Sequence, residues 1–71
     1  GVEVDCAQEL PDGMRFIEIK SSETLSPDHI KNIVSLRNLF KQTEDYVVYA
    51  GQNVSDFHNV RFVNWKETGL L

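Results

Sequence analysis

Pro11-Asp12-Gly13 separates two strand-patterned runs, and this constrains the fold more than any other stretch of the chain. A Pro-Asp-Gly sequence between alternating apolar segments is a strong hairpin signal. The first run is Val2-Glu3-Val4-Asp5-Cys6-Ala7, and the second is Met14-Arg15-Phe16-Ile17-Glu18-Ile19-Lys20. Side chains alternate faces along a strand, so Glu18 and Lys20 share one face. A two-residue turn at Asp12-Gly13 pairs Pro11 with Met14, which sets Asp5 opposite Lys20 and Ala7 opposite Glu18. A three-residue loop bulged at Gly13 instead sets Asp5 opposite Ile19 and turns it away from Glu18.

On the first register, two carboxylates and a lysine converge on one patch of sheet. Two carboxylates can hold a hard cation such as Mg²⁺, with waters in the remaining positions. A metal so held lowers the pKa of a bound water and stabilises charge on a phosphate. A neighbouring lysine can orient that water or offset transition-state charge. The plainer reading is a solvated cross-strand Asp–Lys pair, which contributes only ~0.2–1 kcal/mol.

The remainder alternates element types. Ser21 to Thr24 is polar and loop-like. Ser26-Pro27-Asp28 opens a helix, with serine as N-cap, proline in the first helical position and an acid in the first turn. The spacing of Ile30, Ile33, Val34, Leu36, Leu39 and Phe40 predicts a helix from Pro27 to about Lys41 with a broad apolar face. Asp45 to Ala50 reads as a strand stopped by Gly51, Gln52 to Asn59 as a polar loop, and Val60 to Trp65 as a last strand. The expected class is α/β (α+β), a mixed sheet in the order β-β-α-β-β. A strand–helix–strand crossover makes two strands parallel and lays the helix on one sheet face. The helix is expected to cover Val2, Val4, Cys6, Ile17 and Ile19, leaving Asp5, Glu18 and Lys20 free on the other face.

A chain of 71 residues forms one small domain with a modest core. The net charge of -4 argues against a surface that grips nucleic acid by bulk electrostatics. Cys6 is the single cysteine, so no internal disulfide forms; a buried thiol in a reducing, cytoplasmic setting is expected. No apolar stretch is long enough for a membrane span. Asn53-Val54-Ser55 fits the glycosylation sequon by chance. His29, in the first helical turn, reads as solvated, His58 lies in the loop before the last strand, and neither has a partner at zinc-ligand spacing. An inward Cys6 argues against a catalytic pairing with His58. Ser21 and Ser22 are expected to satisfy loop backbone groups, and Lys31, Arg37 and Lys41 to form a solvated rim. Phe62 and Trp65 point to opposite faces, one of them into the core. A strand pattern that begins at Val2 suggests that residues 1–71 are one domain cut from a longer protein.

Taken in order, Glu3-Val4-Asp5, Ile17-Glu18-Ile19-Lys20-Ser21-Ser22, the helix and Val47-Val48-Tyr49-Ala50-Gly51 resemble the PD-(D/E)xK nuclease-like superfamily. More narrowly, they resemble the C-terminal domain of uncharacterised function attached to bacterial and archaeal AAA+ ATPases. The resemblance spans nearly the whole chain. It implies a restriction-endonuclease-like core and a divalent-metal site for Mg²⁺ or Mn²⁺. Asp5, Glu18 and the Ile19 carbonyl would be the ligands, and Lys20 would assist the attacking water. It also implies an N-terminal ATPase domain as partner and nucleic acid as substrate. The superfamily's further acidic residue, from a helix before the first strand, has no counterpart here. The isolated chain is therefore expected to be inactive, and a non-catalytic module that regulates the ATPase is the alternative.

Overall fold

A computed structural model describes residues 4–70. The strands are β1 (Cys6–Leu10), β2 (Gly13–Ile19), β3 (Thr43–Tyr49), β4 (Val54–Phe57) and β5 (Val60–Asn64), with one helix, α1 (Lys31–Arg37). They form a single mixed sheet in the order β1-β2-β3-β5-β4. β2, β3 and β5 run parallel to one another, and β1 and β4 pair antiparallel at the two edges. The expected mixed α/β class holds, with one strand more than the sequence pattern suggested.

The extra strand is β4, inside the stretch expected to be a polar loop. Val54 and Phe57 are its inward positions and pack against the core. The turn that follows explains why the hairpin signal was hard to see. His58 and Asn59 both have positive φ, 55° and 62°, as a tight two-residue hairpin requires. No glycine marks the turn. The Asp56 carboxylate instead accepts from the Asn59 N–H at 2.9 Å. The last strand ends at Asn64, one residue short of expectation, and Trp65 opens a 3-10 segment, Trp65–Leu70.

The helix is also shorter than its sequence pattern. Ser26 caps a 3-10 turn at Pro27–His29, its hydroxyl accepting from the Asp28 N–H at 3.3 Å. α1 then runs only from Lys31 to Arg37. Ile30 and Ile33 carry the buried contacts, while Leu39 is 75% exposed. Phe40 still reaches back to Phe16 in an edge-on contact at 5.6 Å.

The core lies between α1 and one face of the sheet: Phe16, Ile30, Ile33, Val47, Tyr49, Val60 and Phe62. This corrects two expectations. The hairpin turns at Pro11-Asp12, so Leu10 pairs with Gly13, Cys6 with Ile17 and Ala7 with Phe16. The pairing of Asp5 with Lys20 and of Ala7 with Glu18 does not form. Gly13 opens β2, where the Gln42 backbone comes close enough to exclude any side chain. The second correction concerns which face is covered. Phe16, not Ile17, faces the helix, and Glu18 alternates onto the same side. The apolar pair Ile17 and Ile19 faces away, and Ile19 is 61% exposed. A large aromatic ring fills the space under α1 better than two branched aliphatics, and its position fixes the phase of the whole strand. Val2 and Glu3 lie outside the described residues.

Candidate functional site

Asp5, Glu18 and Lys20 do come together, at the carboxyl end of β2. One step before the Cys6–Ile17 pair, the hairpin register brings Asp5 level with Glu18. Asp5 sits at a bend ahead of β1 and is exposed. Its Oδ2 accepts from the Ile19 N–H at 2.8 Å. Glu18 is 5% exposed, at the margin of the helix-covered side. Lys20 donates its backbone N–H to the Val48 carbonyl at 2.8 Å, which extends the β2–β3 pairing past the end of the strand. The expectation of a site on an open, helix-free face is therefore not met. The acids meet at the sheet's edge, where the covered side runs out.

Their electrostatics diverge. The Ile19 N–H and a hydrogen bond from Glu18 hold the Asp5 carboxyl below the usual carboxylate range, and the Lys20 charge adds to this. Burial pushes Glu18 up, and the hydrogen bond and negative charge of Asp5 add to the rise. The two acids are thus pushed apart, Asp5 down and Glu18 up, as unlike surroundings do to neighbouring carboxyls. Ile19 contributes its N–H to this arrangement.

A second polar cluster lies under α1, and sequence reasoning missed it. Asp45 is 7% exposed, on the core side of β3. Thr43 donates its hydroxyl to Asp45 Oδ2 at 3.1 Å, and Arg37 Nη1 lies 3.6 Å from the same oxygen. Burial pushes Asp45 up, and the Thr43 hydroxyl and the Arg37 charge oppose the rise. Arg37 also donates to the His58 carbonyl at 2.6 Å. It therefore ties the helix to β3 and to the β4–β5 turn, and does not belong to a solvated rim. The available signal was an arginine in the last helical turn followed by Thr43-Glu44-Asp45 at the mouth of an apolar strand.

Ser22 exchanges hydrogen bonds with Thr24, as a loop serine should. Phe62 is fully buried and Trp65 is 57% exposed, so the core member of that pair is Phe62. Cys6 is a free thiol, only half-buried. His29 is half-buried: its ring lies 6.4 Å from that of Phe62, and its Nδ1 is buried. Among the described residues, no three His, Cys, Asp or Glu side chains are grouped to hold a metal ion.

These features define a small mixed-sheet domain with three parallel strands, one covering helix and a carboxyl pair, Asp5 and Glu18, at the end of a parallel strand. The chain belongs to the family described as "Domain of unknown function (DUF4143)", which matches residues 1–68. Comparison with curated proteins and with solved structures returns no match. No helix among the described residues is long and apolar enough to cross a membrane.

Proposed function

We propose that the chain is a nuclease-like module of an AAA+ type ATPase, in which Asp5 and Glu18 form a weak divalent-cation site and Lys20 sits beside it. The observation that carries the reading is the meeting of Asp5 and Glu18 at the end of β2, where Asp5 Oδ2 is held by the Ile19 N–H at 2.8 Å. Neighbouring acids disfavour each other's ionisation, a repulsion that a bound cation would relieve. The donor set fits a hydrated cation of the Mg²⁺ type in part. Two carboxylate groups stand side by side, and Mg²⁺ keeps several waters when bound this way. Asp5, Glu18 and the Ile19 carbonyl would hold the ion, which would supply a water of lowered pKa. The chain's own residues set the terms. Glu18 must ionise against its burial, Asp5 must share an oxygen already engaged by Ile19, and Lys20 offsets the charge of both acids.

The alternative of a non-catalytic module that regulates the attached ATPase is favoured by the place of Glu18. A carboxyl 5% exposed on the helix-covered side offers little room for a phosphodiester. The two readings separate in one experiment. Mg²⁺ and Mn²⁺ are titrated into isotope-labelled chain while amide shifts are followed. The cation reading expects shifts at Asp5, Glu18 and Ile19 at millimolar metal, lost in Asp5→Asn and Glu18→Gln. Absence of residue-specific shifts at that concentration leaves the regulatory reading alone.

A further inference from the structure

A strand at the rim of a sheet leaves half of its backbone groups without a partner, and such an edge is a template for another strand unless something blunts it. The two rims of this sheet, β1 and β4, are built differently. β4 has only four residues, and its pairing with β5 is shifted between Val54 and Phe57. β1 has five residues in unbroken antiparallel register with β2. Its sequence, Cys6-Ala7-Gln8-Glu9-Leu10, contains no proline and no lysine. Among the described residues, no strand pairs with its outer side.

The hydrogen bonds around β2 fix which groups of β1 face outward. The Met14 N–H donates to the Gln42 carbonyl at 3.1 Å, and the Lys20 N–H to the Val48 carbonyl at 2.8 Å. Even-numbered residues of β2 thus bond toward β3. Odd-numbered ones bond toward β1, as the Ile19 N–H does when it donates to Asp5 Oδ2 at 2.8 Å. Arg15 and Ile17 are therefore bonded to their partners Gln8 and Cys6. Ala7 and Glu9, which alternate with these, turn their N–H and C=O groups away from the sheet. Both residues are exposed.

We propose that β1 pairs antiparallel with β1 of a second copy of this chain, about a two-fold axis through Gln8, joining the two sheets edge to edge. Bonds form only where outward groups meet outward groups, and the sequence separates the symmetric registers that allow this. Centring the pair on Ala7 sets Asp5 opposite Glu9 of the other copy, twice over. Centring it on Glu9 sets two glutamates against each other, and Ala7 against Pro11, which has no N–H. Centring it on Gln8 sets each Ala7 opposite a Glu9, with four backbone hydrogen bonds and no like charges opposed. It also sets each Cys6 opposite a Leu10, and both of these are half-buried already. A foreign extended segment supplies the same backbone groups but not this side-chain match. The contact is small and each copy carries a net charge of -4, so the dimer is weak and transient.

Sedimentation equilibrium and amide hydrogen exchange test this on the whole chain, from about 10 µM to about 1 mM at roughly 0.15 M salt. A dimer is expected to form across that range. The Ala7 and Glu9 amides should gain protection in step with it, while the Gln8 amide is held by Arg15 at every concentration. Ala7→Lys sets a lysine opposite each Glu9 and should tighten the dimer several-fold. Ala7→Glu sets acid against acid and should weaken it by as much. The same two changes at Ser35, exposed on α1, should leave it unaltered. Circular dichroism verifies folding, and if the Ala7 variants do not fold, exchange in the parent chain decides. A chain still monomeric at about 1 mM overturns the proposal. So does a dimer in which the Ala7 and Glu9 amides stay unprotected, one that both Ala7 substitutions weaken alike, or one that responds equally at Ser35. An unrelated extended peptide that protects these amides while the chain stays monomeric also overturns it, and marks the edge as a site for a partner's strand.

Discussion

Arg37→Met removes the charge that holds α1 onto the sheet while keeping an apolar stem of similar length and helix propensity. Two contacts are lost: the 3.6 Å approach to Asp45 Oδ2 and the 2.6 Å bond to the His58 carbonyl. Removing one partner of a buried pair costs about 3–5 kcal/mol. The Arg37 side chain is 23% exposed against 3% for Asp45, and Asp45 can take up a proton when its partner is gone, so the loss should be smaller. About 2–3 kcal/mol is expected, set against a total of roughly 4–10 kcal/mol for a chain of this size. Urea unfolding followed by Trp65 emission and circular dichroism measures it. With a urea slope near 1 kcal/mol/M, the midpoint should fall by roughly 2–3 M at pH 7. The pH dependence has a definite sign. A carboxyl whose folded pKa is raised contributes stability that is full below its unfolded pKa and lost as pH rises through the folded value. Without Arg37, Asp45 is raised further, so the deficit must shrink as pH falls toward 4. Asp45→Asn in the Arg37→Met background should restore more than half of the loss. A loss under about 0.5 kcal/mol at pH 7, or one that is unchanged when Asp45 is already Asn, would refute the ion-pair account.

Element types were readable because they depend on local pattern. The hairpin, the capped turn at Ser26, the apolar β3 and the last strand all follow from residues close in sequence. What escaped depends on packing between distant residues. The phase of β2 is decided by which side chain fills the space under α1, and Phe16 wins that competition against Ile17 and Ile19. With period-2 alternation, that single choice moved Glu18 from the open face to the covered one. The site survived in part because the turn placement was wrong by one residue at each end. The two one-residue errors cancel in parity, so Asp5 stays on the side of Glu18 while its level changes from Lys20 to Glu18. β4 escaped because its turn uses His58 and Asn59 at positive φ without glycine. The role of Arg37 escaped because its partners, Asp45 and His58, come from two other elements.

Glu18→Gln keeps the shape and supplies a neutral group where burial already favours one. It should stabilise the chain at pH 7 by roughly 1 kcal/mol and remove the part of the stability that Glu18 loses as pH rises through its raised pKa. Unfolding midpoints from pH 4 to 8 measure this, and destabilisation at pH 7 would show that Glu18 is needed as a carboxylate. Gly13→Ala would drive a methyl group into the Gln42 carbonyl, and should cost about 2 kcal/mol or more through displacement of the β2–β3 pairing, seen as a lowered thermal midpoint. A thermal midpoint within 2 °C of the parent would show that the approach relaxes freely. Finally, the chain alone should not cleave DNA or RNA with Mg²⁺ or Mn²⁺. Its net charge of -4 gives weak attraction to a phosphate backbone. Glu18, the acid that would have to ionise, sits where burial favours its neutral form. Two carboxylates leave most of the Mg²⁺ coordination to water, so the ion is held without fixed geometry. Incubation with single- and double-stranded substrates tests this, and cleavage that disappears in both Asp5→Asn and Glu18→Gln would establish a working hydrolytic site in these residues.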